Sequence, residues 1–173
     1  LYFPNSSGNN INVYVAADDY PAIVDVDNDG DLDILTFEPL GSVMYYFRNV
    51  AVEEGLGLNT LKYVLEDDCW GKFYELESSE EVELSNDPNE CAFGFNEDPS
   101  QESGGSGVHA GSTILAFDQD NDGDQDLLLG DLTNTHMGFL NNGGSPTSGW
   151  INEQIPQWPD YDQIIEMEVF NAA

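Results

Sequence analysis

Two nine-residue stretches constrain this chain more than anything else in it: residues 25–33, DVDNDGDLD, and residues 118–126, DQDNDGDQD. Each sets carboxylates at loop positions 1, 3, 5, 7 and 9, with Gly30 or Gly123 at position 6. Five like charges in one tight turn repel each other strongly unless a cation sits among them. Ca²⁺ suits such a turn, because it is hard, prefers oxygen and takes six to eight ligands at about 2.3–2.6 Å. The glycine lets the backbone turn sharply where a side chain would obstruct it. A merely solvated acidic turn gives no reason for the D-x-D-x-D-G-x-x-D spacing to occur twice.

The calcium loop of the EF-hand opens in the same way, but it needs a bidentate Glu at position 12 and flanking helices. Position 12 falls on Thr36 and Leu129, which cannot supply that carboxylate. The flanks read as strands instead. Short apolar, β-branched runs at 22–24 and 34–37 bracket the first loop, and runs at 113–117 and 127–129 bracket the second.

A strand–loop–strand unit in two copies prompts a search for further repetition. Residues 42–49 (SVMYYFRN) and 136–142 (HMGFLNN) both read as aromatic strands ending in Asn. Asn49 lies 24 residues after Asp25 and Asn141 lies 23 after Asp118, so the registers match to within one residue. Residues 1–5 (LYFPN) look like a third copy of that ending, and residues 169–173 like the approach to another loop. The expectation is an array whose further repeats lie outside this sequence.

With these motifs in place the chain resembles the FG-GAP/VCBS-type repeats, in which D-x-D-x-D-G-x-x-D joins two strands of a β-propeller blade. Such repeats occur in integrin α-subunit propellers and in many large secreted bacterial proteins, and the wording DVDNDGDLDIL is most similar to the bacterial surface group. The resemblance covers about residues 17–49 and 109–142. It implies an all-β fold of tandem antiparallel propeller-like blades, part of a larger propeller, with one Ca²⁺ per loop. The carboxylates of Asp25, Asp27, Asp29 and Asp33 would converge on the first ion with the backbone carbonyl of Asp31. Those of Asp118, Asp120, Asp122 and Asp126 would do the same with the carbonyl of Asp124. The side chains of Asp31 and Asp124 are expected to face water and attract the ion from a distance.

The departure from the family is the spacing, since the loops start 93 residues apart, more than a compact blade needs. The expected organisation is therefore 1–16 as the end of a preceding repeat, 17–49 and 109–142 as two repeats, and 50–108 as an acidic insertion. Residues 143–173 are expected to lead into a further repeat, with 150–168 a long connection carrying Pro156 and Pro159. The insertion holds the acidic run 75–83, the flexible stretch 100–107 and strand-like pieces at 61–65 and 81–84 that suggest hairpins. It also holds both cysteines, Cys69 and Cys91. They read as a disulfide closing a 22-residue loop, with two reduced, buried thiols as the alternative. Such a bond contributes roughly 3 kcal/mol on the chain-entropy model and fits an oxidising, extracytoplasmic place. A zinc site is disfavoured, because His109 and His136 are the sole histidines and no C-x-x-C occurs.

The charge balance bears on partners. Thirty-four acidic residues face three basic ones, Arg48, Lys62 and Lys72, for a formal charge of −31. Two Ca²⁺ ions would cancel four of those charges. The remaining field disfavours nucleic acid and anionic membranes and favours divalent cations or basic partners. An apolar content of 40% places the chain among folded proteins despite its charge. No apolar run approaches the length of a membrane span.

The expected function is a non-catalytic calcium-binding module of a secreted or cell-surface protein, rigid enough for structural or adhesive contacts with other surface proteins, glycans or further repeats. A glycan-binding propeller is the alternative, with Trp70, Trp150, Trp158 and Tyr161 as stacking candidates. An enzyme is the least supported reading. Glu80 and Glu81 would point to opposite faces of a strand, and neither His109 nor His136 accompanies a G-x-S-x-G nucleophile motif.

Overall fold

A computed structural model describes residues 1–39, 41–76, 79, 81–92, 111–131 and 135–159. Twelve strands and no helix occur among them, so no helix there is long and apolar enough to cross a membrane. The protein is all-β, and its described residues form four antiparallel sheets, none of them closed into a barrel.

The first large sheet is a meander of β3 (Ala22–Val24), β4 (Asp33–Phe37), β5 (Met44–Asn49) and β6 (Tyr63–Asp67), in that order. The second repeats the plan with β9 (Ser112–Phe117), β10 (Asp126–Asp131), β11 (Met137–Asn142) and β12 (Ile151–Trp158). Two ribbons complete the set: β1 (Tyr2–Pro4) with β2 (Asn10–Asn12), and β7 (Phe73–Tyr74) with β8 (Glu83–Leu84). Each nine-residue loop joins the first and second strands of its sheet.

The second strand of each sheet is covered on both faces, and its apolar residues accordingly stand next to one another (Ile34 and Leu35, Leu127 to Leu129) rather than alternating with polar ones. All five residues of β4 are buried, as are the first five of β10. Period-two geometry then divides the side chains between two cores. Leu35 and Phe37 face a cluster shared by both sheets, with Met44, Leu127, Leu129 and Ile151. Ile34 faces the other way, into a smaller cluster with Phe3, Phe47 and Tyr63. The β1–β2 ribbon covers that outer face, and the Phe3 and Phe47 rings stand 4.8 Å apart.

The segment between the sheets feeds the shared core. Trp70 and Phe73 are 1% and 0% exposed and sit in the main cluster. Cys69 and Cys91 are joined in a disulfide. The backbone at Gly71 bridges to Trp150, and the Ile151 amide donates to the Gly71 carbonyl at 2.8 Å. The segment is thus stitched to the start of β12. The two sheets also meet directly. Residue Tyr20, just before β3, pairs in parallel with Thr113 of β9, through Tyr20 N–H to Ser112 O at 2.9 Å and Ile114 N–H to Tyr20 O at 3.0 Å.

Two expectations about the chain's course change here. The piece at 61–65 does not form a hairpin within an insertion; it runs into β6, the fourth strand of the first sheet, from Tyr63 on. Residues 151–158 are not a connection but β12, the fourth strand of the second sheet. Pro156 argues against a strand on local grounds, yet proline is tolerated in an edge strand such as β12, where no partner needs its missing N–H. Glu80, the stretch 100–107 expected to be flexible, His109 and residues 160–173 with Tyr161 lie outside the described residues.

Candidate metal centre

The two loops have the same backbone. Position 4 is Asn28 or Asn121 at φ 62° or 65°, and position 6 is Gly30 or Gly123 at φ 99° or 98°. Glycine takes such values freely, and Asn is among the few other residues that visit the left-handed region routinely. Position 1 holds the turn closed. Asp25 accepts the Asp29 amide at 3.1 Å and the Gly30 amide at 2.9 Å. Asp118 accepts the Asp122 and Gly123 amides, both at 3.1 Å. Further round, Asp29 accepts the Asp31 amide at 2.9 Å, and Asp122 accepts the Asp124 amide at 3.1 Å.

These turns bring the first three carboxylates of each motif together. Asp25, Asp27 and Asp29 offer oxygens within 4.8 Å of one another, and so do Asp118, Asp120 and Asp122. Several oxygens here are enclosed yet have no hydrogen-bond donor: Asp27 Oδ1, Asp29 Oδ2, Asp31 Oδ1 and Asp124 Oδ1. An anionic oxygen removed from water without a partner is costly. Burial, followed by the charges of Asp29 and Glu53, raises the Asp27 pKa above the ordinary carboxylate value. Burial and the Asp122 charge push Asp124 up to about 7. An all-carboxylate set of this kind fits a hard divalent cation, and the enclosed oxygens are what such an ion would satisfy.

Position 9 does something else as well. Asp33 accepts the Val26 amide at 3.0 Å, the Asn49 amide at 2.8 Å and the Tyr46 hydroxyl at 3.2 Å. Asp126 accepts the Gln119 amide at 2.9 Å and the Asn142 amide at 2.8 Å. These carboxylates tie the base of each loop to the end of the third strand, and a carboxylate has lone pairs left over for an ion. Burial dominates the Asp33 carboxyl and carries its pKa up to about 7 despite the donors from Asn49 and Val26. The position also fixes the repeat register. Asn142, not Asn141, is the partner of Asn49, and it lies the same 93 residues on as every loop position.

At position 7 the expectation of water-facing side chains fails. Asp31 and Asp124 are 3% and 2% exposed. The main-chain turn at Gly30 and Gly123 directs them inward, and Asp31 accepts the Val52 amide at 3.2 Å.

The loops differ in their surroundings. Asp25, Asp27 and Asp29 are half-buried, whereas Asp118, Asp120 and Asp122 are exposed. The turn after β5 shelters the first loop through Val52 and Glu53, and Arg48 reaches Asp27 at 4.0 Å and Glu53 at 3.3 Å. The two loops also touch each other. The Asn28 side-chain amide donates to the Gly123 carbonyl at 2.7 Å, and Gln125 donates to the Asp25 carbonyl at 3.5 Å. Sequence reading missed Glu53, Arg48 and Gln125, because each is brought to the loops by chain that lies far from the motif it serves.

Trp70 is in the core, and half-buried Trp150 donates its indole N–H to the Ser85 carbonyl at 3.0 Å. Trp158 packs on Phe139 with ring centroids 6.4 Å apart. His136 lines a cavity of about 30 Å³ beside Glu75, Asp131 and Gln154, room for a water or two. No protein-family model matches this chain, and comparison with curated proteins and with solved structures finds no match.

Proposed function

We propose that this chain is a non-catalytic calcium-binding repeat module of an extracytoplasmic protein, in which ions held by the two loops lock neighbouring blade-like sheets together. The observation that carries the reading is the pair of loops with matching turns, 93 residues apart, which enclose carboxylate oxygens that have no donor, three in the first loop and one, on Asp124, in the second. Asp25, Asp27 and Asp29 would hold one ion, and Asp118, Asp120 and Asp122 the other, with Asp33 and Asp126 supporting each loop from its base. The ion supplies positive charge and a common centre for oxygens that otherwise repel.

The same reading takes the two four-stranded meanders as blades of an FG-GAP/VCBS-type propeller. Their common strand order and the pairing of Tyr20, just before β3, with Thr113 of β9 support it. The disulfide is compatible with an extracellular location. Loops that touch through Asn28 and Gln125 give the ions a route to stiffen the contact between sheets, which suits a structural or adhesive part.

Titration of chelator-stripped protein with Ca²⁺ in a calorimeter, followed by thermal melts, tests this. Binding with a rise in melting temperature is expected. Each site contributes about 2.7 kcal/mol at a hundredfold excess over Kd, provided that the unfolded chain does not bind. An unchanged melting temperature would sink the proposal.

A further inference from the structure

The first loop belongs to a second acidic constellation that the motif does not contain. Carboxylate oxygens of Asp29, Asp31 and Glu53 lie within 4.8 Å of one another. Glu53 sits in the turn after β5, and the residue 93 further on is Pro146, so the second loop has no counterpart. Oxygens this close can share one ion, since ligands on opposite sides of Ca²⁺ stand about 4.6–5.2 Å apart.

Nearness of acidic groups would mean little without Asp31. That residue is 3% exposed; its Oδ2 takes the Val52 amide, while its Oδ1 is enclosed with no donor. Asp29 repeats the pattern, with Oδ1 on the Asp31 amide and Oδ2 enclosed without a donor. The neighbouring guanidinium does not answer for them. Arg48 pairs with Glu53 at 3.3 Å and Glu66 at 3.0 Å and reaches Asp27 at 4.0 Å, but makes no ion pair with Asp29 or Asp31. Asp31 and Asp29 thus each bring a carboxylate with one enclosed, donorless oxygen to a group of three in which only Glu53 is paired with a cation.

We propose that Asp29, Asp31 and Glu53 form a third Ca²⁺ site, separate from the two motif sites and absent from the second loop. It rests on the first loop being a cation site, because Asp29 would serve both ions. Its consequence is a clasp: the ion fastens the turn after β5 to the loop between β3 and β4. Three carboxylates exceed the charge of one Ca²⁺, and Arg48 offsets the excess from its place on Glu53.

Calorimetric titration of the chelator-stripped chain with Ca²⁺ tests it, comparing the parent protein with Glu53→Gln and Arg48→Gln. Glu53→Gln should bind one ion fewer than the parent. Arg48→Gln breaks the same ion pair but keeps the carboxylates, and should bind the full number. Equal stoichiometry in the parent and Glu53→Gln overturns the third site and leaves the motif sites standing. No uptake by the parent overturns both. Should Glu53→Gln not fold, Tb³⁺ soaked into crystals of the parent decides by anomalous scattering. A peak in contact with Asp31 and Glu53 is expected; peaks at the motif loops alone overturn the third site, and no peak at any of them overturns both readings.

Discussion

Asp33 and Asp126 do the same work on different neighbours. Both fasten a loop to the end of the third strand through a backbone amide at 2.8 Å, but Asp33 also holds the Tyr46 hydroxyl, where the equivalent residue in the second repeat is Phe139. Burial of carboxyls like these sets the pH behaviour of the ion-free protein. Asp33 and Asp124 have folded pKa values of about 7 against an ordinary 3.8. Between those limits the folded state keeps protons that the unfolded state releases, so stability is lost as pH rises through the window. In chelator, the melting temperature should therefore fall from pH 5 to pH 8. Asp124→Asn should flatten part of that slope, and Ca²⁺ should restore stability at pH 8 by holding the carboxylates in their charged form. A melting temperature in chelator that is flat or rises over this range would contradict the assignment of these two groups.

Among the elements, the fourth strands show where local pattern stops being informative. The piece that became β6 was legible as a strand, but nothing in Tyr63–Asp67 says that it pairs with β5 rather than folding back on itself. The strand β12 was hidden by Pro156, and its place depends on contacts with distant chain. One is the Gln154 side chain, which accepts the Val82 amide at 2.9 Å and donates to the Val82 carbonyl at 2.8 Å. Another is the close approach of Gly149 to Trp70. A Cβ at Gly149 would come within 2.5 Å of the indole. Gly149→Ala should thus force Trp70 or the start of β12 to shift, lowering stability by about 1–3 kcal/mol. The change should appear in the denaturant midpoint and in the tryptophan emission. Wild-type values for both would mean that the contact is not made.

For the whole molecule, the disulfide and the charge act in opposite directions. A formal charge of −31 favours expanded states by self-repulsion. The Cys69–Cys91 bond closes a 22-residue loop next to Trp70, which anchors the region between the sheets to the shared core. Replacing both cysteines with serine should cost roughly 3 kcal/mol on the chain-entropy model, measured by denaturant unfolding in the presence of Ca²⁺. No loss would place the stability of that region in its packing alone.

The strand–loop–strand units, their two-fold occurrence, the cysteine pair and the all-β class can be read from the order of residues alone. These follow from short-range rules: hydrophobic runs set strands, glycine and asparagine set tight turns, and like charges at fixed spacing need a common partner. Tertiary structure alone decided that Asp31 and Asp124 turn inward, that Glu53 and Arg48 gather at the first loop, and that the two loops touch through Asn28 and Gln125. It also decided which strands complete each sheet. The reason is that burial and pairing across tens of residues depend on which surfaces the rest of the chain covers. A nine-residue motif carries its own turn, but not the neighbours that enclose it.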